Sequence, residues 1–371
     1  MKPIQNFLFR DNATLSELLL RTIAYLRLFL GNYVHVTKSK GIRYFLKLYC
    51  ICFFMSVMSI YVYTSVPFQF TVFSFTVFEY ILTAIVFVVS DDKHIHDYFI
   101  NIITNDRIMG FKKMPYMTTY VYLILFSSTI TRFCLCIIRI HTNIHTVITF
   151  CAILISITAM DLHYLLVIFL FSILHTRMNM LSLYIESNSV SVNIIAHNEI
   201  AKSIRAVRKS LSYYDKLLDS FENLAKILQY ELIIYWVTEF LRASIITYNG
   251  LQGLISSKGE HLVLQHSNSV MTLNLMEVII SVALISFPAF IVEATVYEVN
   301  RIKKTLTAQI LKCSDECLRF ELQTALQYVR LRPFRYTLCR AVPLDINLLF
   351  TTAALCITYV IVALQLTHFA A

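Results

Sequence analysis

The chain has 371 residues, 57% hydrophobic and only 15% charged, with a net charge of +9. Soluble domains carry roughly 25% charged residues, so this composition excludes a soluble enzyme of ordinary make-up and marks a polytopic helical membrane protein. The basic excess needs no nucleic acid partner: it is what a membrane protein with basic inner loops carries, and contact with anionic lipid headgroups follows from it.

In chain order, the first apolar run, Leu18 to Leu30, is short and interrupted by Arg21 and Arg27. A span needs ~20 apolar residues to cross about 30 Å of hydrocarbon. This run is therefore expected to be a cytosolic or interfacial amphipathic helix rather than a span or a signal peptide. Seven spans follow, approximately Tyr44–Thr64, Pro67–Ser90, Tyr116–Ile140, Val147–Leu174, Leu232–Gln252, Val270–Val296 and Leu344–Leu366. Pro67, Pro115 and Pro343 mark span edges, where a missing amide donor does least harm. Pro288 lies inside the sixth span and predicts a kink there.

The distribution of the 32 Lys and Arg residues predicts the orientation. Seven precede the first span, four follow the second, seven lie between the fourth and fifth, and nine between the sixth and seventh. The opposite connections hold only Lys258, while Lys47, Arg132, Arg139 and Arg242 lie within spans. Basic loops stay cytoplasmic, so the N-terminus is expected inside and the C-terminus outside, the reverse of a G-protein-coupled receptor. The expected organisation is a cytosolic segment at 1–43, four spans in 44–174, a cytosolic helical extension at 175–231, two spans in 232–296, a cytosolic helix and turn at 297–343, and the last span with an extracellular tail at 344–371. The nine Cys residues avoid the predicted outer loops, so no disulfide framework is expected. The sequon Asn12-Ala13-Thr14 falls on the inner side and is expected to stay unglycosylated.

Two inner segments carry helical periodicity. From Asn193 to Lys226, Ile204, Val207, Leu211, Tyr214, Leu218 and Phe221 recur on one face, as if helix four or five continued beyond the membrane. Leu318, Leu322, Ala325, Leu326 and Val329 form a second stripe, stopped by Arg332-Pro333. Such stripes fit either a solvated helical hairpin or a cytosolic interface between subunits.

No Gly-rich phosphate loop, His-Glu-x-x-His or Gly-x-Ser-x-Gly is present, so neither catalytic residues nor a cofactor are expected. His94 with His96, and His141 with His145, lack companion ligands and read as surface histidines; Cys313, Cys317 and Cys339 read as small packing residues. No metal site is expected. Only six Gly and an odd span count disfavour the paired broken helices of a transporter.

Ionisable groups inside spans carry a stronger signal, each costing on the order of 2.5–3.5 kcal/mol at a helix centre unless paired or hydrated. These are Glu79, Asp161, His163, Glu239, Arg242 and Glu277, with Arg132 in the outer half of span three. They fit either a water-filled ligand pocket opening outwards, walled by Trp236, Tyr248 and Phe287, or structural ion pairs between helices, such as Arg132 with Glu239. In the last span Cys356, Tyr359, Val362 or Ala363, and Leu366 share a helical face flanked by Gln365. Repeated around a symmetry axis, they would make an apolar gate beside an uncharged amide ring. On a lone helix they would be interhelical glue.

The last span reads Thr358-Tyr359, five apolar residues, Gln365-Leu366. This resembles the Thr-Tyr, five hydrophobic, Gln-Phe signature of the insect gustatory receptors. The preceding Asp315-Glu316-x-Leu318, Glu321-Leu322-Gln323, Gln327, Pro333-Phe334-x-Tyr336-Thr337-x-Cys339 and Leu344-Asp345 are similar to that family's cytosolic helix and its lead into the seventh span. Arg27-Leu28-Phe29-Leu30-Gly31 is similar to its Arg and Gly motif before span one. Leu366 replaces the signature Phe, and Arg340 stands where a Gly commonly follows the Cys. The resemblance implies a ligand-gated, non-selective cation channel in the plasma membrane of sensory neurons, a homo- or heterotetramer of subunits with seven helices of inverted topology. It implies a pore gate at Gln365, Leu366, Val362, Tyr359 and Thr358, and a small-molecule tastant, bitter or plant-derived before sugar. The pocket would draw on Glu239, Arg242, Arg132, Glu277, Trp236, Tyr248, Asp161 and His163. Odorant receptors share this architecture, and the Thr-Tyr and Gln signature favours the gustatory branch. A transporter or a metabotropic receptor is the rival class.

Overall fold

The computed structural model describes residues 15–33, 39–63, 78–85, 93–111, 127, 130, 131, 134, 147–188, 197–256, 261–339 and 341–370. These are nearly all helical: α1 Leu15–Phe29, α2 Lys40–Tyr63, α3 Lys93–Met109, α4 Val147–Ser187, α5 His197–Ser256, α6 His261–Lys312, α7 Glu316–Leu331 and α8 Ile346–Ala370. Residues 78–85 are also helical. Between α7 and α8 sits a two-stranded antiparallel hairpin, β1 Thr337–Leu338 and β2 Val342–Pro343. Most of the expected second and third spans, the sequon, Arg132 and Arg340 lie outside the described residues.

Three stretches among the described residues are long and apolar enough to cross a membrane: Lys40–Ile60, Leu154–Ser187 and Ile346–Leu366. Their surroundings differ. Protein covers 78% of the apolar window in α4 but only 11% of those in α2 and α8, so α4 is the central post and the other two flank the bundle. α4, α5 and α6 have 41, 60 and 52 residues. At 1.5 Å per residue they reach about 60, 90 and 78 Å, so all three extend far beyond a bilayer core, where the sequence pointed to one such helix. α6 continues as helix through Pro288.

The main core lies where α4 packs along α5 and α6 and where α7 closes over the lower ends of α5 and α6. The α7 stripe is buried as its periodicity predicts: Leu318, Leu322, Ala325, Leu326 and Val329 all face inward. A smaller core joins Val57 of α2 and Tyr80 to Ala152, Ala159 and Met160 of α4. α1 packs on α4, with Ile23 and Arg27 buried.

Helix ends explain several motif residues. Asp315 caps α7 by accepting from Leu318 N at 2.8 Å, and Asp345 receives Leu348 N at 3.1 Å at the start of α8. α1 closes in a Schellman turn in which Asn32 N donates to Arg27 O and Gly31 N to Leu28 O, with Gly31 at φ +81°. Gly110 ends α3 in the same way at φ +84°. In the hairpin, Leu338 pairs with Val342 and Ala341 N donates to Leu338 O. The positive φ there, +47°, falls on Cys339.

Candidate functional site

α8 is covered on one side only. Leu348 and Val360 are buried, and Leu349, Thr352 and Cys356 are half-buried against α5 and α6. Ser244 Oγ of α5 lies 3.3 Å from Cys356 Sγ. Lower down, Trp236 and Leu232 of α5 share a small cavity with Leu344, Leu348 and Leu349. Both contacts advance together along α5 and α8, so the two helices run parallel, and Tyr248 comes four residues beyond Ser244 as Val360 comes four beyond Cys356.

The opposite side is open. Thr358, Tyr359, Val362, Gln365 and Leu366 are all exposed. Thr358 spends its hydroxyl proton on Ala354 O at 2.9 Å, leaving the Gln365 amide as the polar group presented near the far end of α8. Gln365 is nineteen residues from Ile346, about 28 Å along the axis. Cys356, expected on the same face, turns towards α5.

The foot of α8 is held firmly. Tyr336, just before β1, sits edge-on to Phe171 and Phe221 with ring centroids 5.1 and 5.9 Å away, and Leu344 N donates to Tyr336 O at 3.0 Å. One step earlier, Arg332 meets Asp215 and Asp219, and also Glu222 at 3.4 Å, all on α5. Its carbonyl accepts from Tyr214 OH at 2.8 Å, while Tyr328 OH also reaches Asp215. The Asp219 carboxylate beside Arg332 holds that guanidinium's proton more tightly than usual. A second tie joins α5 to α7 through Arg208 and Glu321, and the guanidinium lowers that carboxyl's pKa.

The buried ionisable groups form pairs. Glu239 and Arg242 are 1% and 3% exposed and pair with each other one turn apart on α5, with Arg242 Nε donating to Glu239 Oε2 at 3.1 Å. His163 Nε2 lies 3.0 Å from Glu231 Oε2, a partner that no sequence spacing singles out. Asp161 and Glu79 are buried with them. Arg177 Nη2 of α4 meets Asp106 Oδ2 of α3 at 2.7 Å, and Tyr213 OH donates to Asp106 Oδ1 at 2.7 Å. Burial raises the Asp106 pKa above the ordinary value while Arg177 and then Tyr213 pull it back. Trp236 is half-buried near the foot of α8, its ring 6.5 Å from that of Phe240. Phe287 and Tyr248 are half-buried. The side chain of Glu277 and all of Arg132 lie outside the described residues.

No protein-family profile and no curated protein matches the sequence. Solved structures do. The chain has the fold of an insect olfactory receptor. The olfactory receptor OR5 from Machilis hrabei in complex with eugenol superposes with a TM-score of 0.64 at 12% identity, covering 94% of this chain and 98% of that one. A second structure of the same receptor gives 0.62 at 13% identity with the same coverage. At such identity the likeness is one of fold, spanning nearly the whole of both chains.

Proposed function

We propose that this chain is a subunit of a ligand-gated, non-selective cation channel of the insect chemoreceptor type, working as a tetramer in the plasma membrane of sensory neurons. The observation that carries the reading is the half-covered α8. It is among the most apolar helices of the chain, yet one side is bare and presents Tyr359, Val362, Gln365 and Leu366 in the signature order. One such helix encloses nothing, so a pore requires copies around an axis. Around that axis Gln365 would supply uncharged oxygens to a passing cation, and Val362 and Leu366 an apolar constriction beside it.

The ligand is a small organic molecule held within the bundle of each subunit, by Glu239, Arg242, Asp161, His163, Trp236 and Tyr248, with Arg132 and Glu277. Binding opens the pore to the extent that the ligand prefers the open arrangement. The fold likeness to a receptor solved with eugenol supports a small-molecule ligand. The Thr-Tyr and Gln signature supports taste over smell. The inner loops, carrying most of the Lys and Arg residues, support a cytosolic N-terminus and an extracellular C-terminus.

Whole-cell recording of the chain expressed alone or with related subunits tests this reading. A tastant library should evoke a fast cation current that persists when G-protein signalling is blocked, and Gln365→Ala should alter permeation or gating at normal surface expression. Currents and selectivity unchanged in Gln365→Ala would refute the pore assignment.

A further inference from the structure

At the end of the bundle that carries α7, the helices α4, α5, α6 and α7 leave a half-enclosed cavity. Its walls are mostly apolar, with Leu181, Val207, Leu306 and Val329 contributed by the four helices in turn, and among the described residues no charged side chain lines it. It lies far along α5 from Glu239 and Arg242 and shares no residue with the candidate gate or ligand-pocket residues named above.

Several polar groups on this wall donate to backbone carbonyls. Gln309, 5% exposed, donates Nε2 to Ile185 O at 2.9 Å. Its Oε1 has no hydrogen-bond donor among the described residues. Asn188 Nδ2 donates to Tyr184 O at 2.8 Å, Ser210 Oγ to Ala206 O at 2.9 Å and Tyr214 OH to Arg332 O at 2.8 Å. The Ser210 and Tyr214 hydroxyls have thus spent their single protons and keep oxygen lone pairs, while the Gln309 and Asn188 amides each keep one further N–H. The cavity is apolar, with acceptor oxygens at Gln309, Ser210 and Tyr214. An acceptor facing an apolar recess gains from a donor brought to it, and unfilled space forfeits dispersion contacts along the wall. One occupant answers both: a hydrocarbon body with a hydroxyl to donate.

We propose that this cavity binds a small neutral alcohol or phenol, with its hydroxyl donating to Gln309 Oε1. The absence of charge on the wall argues against a carboxylate or an amine, which would be buried without a counter-ion. The ligand touches α6 and α7 on one side and α4 and α5 on the other, so it braces the contact from which Arg332 leads into the foot of α8. Binding depends on this helix packing and not on the channel reading.

The test uses the full-length protein in lipid nanodiscs, photolabelled with a diazirine analogue of 1-octanol and mapped by peptide mass spectrometry. Adducts are expected within Leu181–Asn188, within Ser203–Tyr214 and near Gln309. Excess 1-octanol should suppress them, and so should Ser203→Phe, which places a ring at the half-exposed rim. Label confined to other segments, or adducts here that neither competitor nor variant reduces, would overturn the proposal. Gln309→Leu keeps the volume and removes the acceptor, and provides the test if Ser203→Phe does not fold. It should weaken competition by 1-octanol about threefold to tenfold, one net hydrogen bond, and leave competition by octane unchanged; equal effects on both would count against it. The readout is covalent labelling, so a chain that passes no current would leave a positive result standing.

Discussion

Gly31→Ala should destabilise the protein far more than the same change at Gly110, although both glycines end a helix at nearly the same φ, +81° and +84°. A β-carbon in this left-handed region costs about 1–2 kcal/mol at either position. At Gly110 nothing lies within 4 Å of the new methyl, so that is the whole effect. At Gly31 the methyl would sit 2.5 Å from Phe53 Cδ1 and 3.2 Å from Cγ, against the body of the ring. Forcing that contact apart costs about 1–3 kcal/mol more, for a total of roughly 2–5 kcal/mol. Trp236 is the only tryptophan, so its fluorescence during thermal unfolding in detergent reports on the bundle. The midpoint should fall further for Gly31→Ala than for Gly110→Ala, and in a Phe53→Ala background the two glycine variants should become equivalent. Equal midpoints in the wild-type background, or no coupling between positions 31 and 53, would refute the close approach of the α1 turn to α2.

Asp106→Asn removes the counter-ion of the buried Arg177 and should cost about 3–5 kcal/mol, read as a drop in melting midpoint larger than any change at the exposed Arg208. Val360→Trp should lower the yield of folded protein by overpacking the covered side of α8, whereas Val362→Trp, on the bare side, should fold normally and change the current. Arg208 holds the Glu321 carboxyl below its ordinary pKa, so the tie contributes fully above about pH 4.3 and is lost as pH falls through the lower folded value. Acid unfolding of Glu321→Gln should lack that step, and an unaltered acid titration would refute it. Ser244→Cys places a thiol beside Cys356; oxidation should join α5 to α8 and suppress ligand-evoked current until reductant is added, and a mass-verified crosslink with undiminished current would show that gating leaves this contact in place.

Some of this structure was legible because burial in water imposes a period. The α7 stripe was read residue for residue, since an amphipathic helix with charged flanks has only one face to bury. The motif residues Asp315 and Asp345 are helix caps, a local chemistry that sequence carries directly. Partners were harder. Arg27 read as a charge that spoils an apolar run, but it is 1% exposed, and only the packing of α1 on α4 decides whether such a charge reaches water or is enclosed. Glu239 and Arg242 stand one turn apart, a spacing the sequence displayed, whereas His163 and Glu231 meet only because α4 and α5 pack together. Arg332 was read as a stop signal. Its acidic partners Asp215, Asp219 and Glu222 follow one face of α5, but nothing in that spacing names the guanidinium they receive.

The two ends of α8 are treated very differently by the rest of the chain. Its foot is fixed by the Asp345 cap, by the Leu344 hydrogen bond to Tyr336 and by the Phe171 and Phe221 rings around that tyrosine. Its far end is bare at Tyr359, Val362, Gln365 and Leu366, and along its length one side packs on α5 and α6 through Leu348, Leu349, Thr352, Cys356 and Val360. A helix anchored at its foot and covered on one side only would, on the channel reading proposed above, tilt about that foot. The displacement would be largest where the signature residues lie. Such an asymmetry would account for a signature concentrated near the far end, while the motif residues before α8 are caps and aromatic anchors. On the channel reading proposed above, Leu366 would stand at the position of greatest travel, with a side chain smaller than the signature phenylalanine, and a closed constriction would depend on how closely neighbouring copies bring their Val362 and Leu366 side chains together.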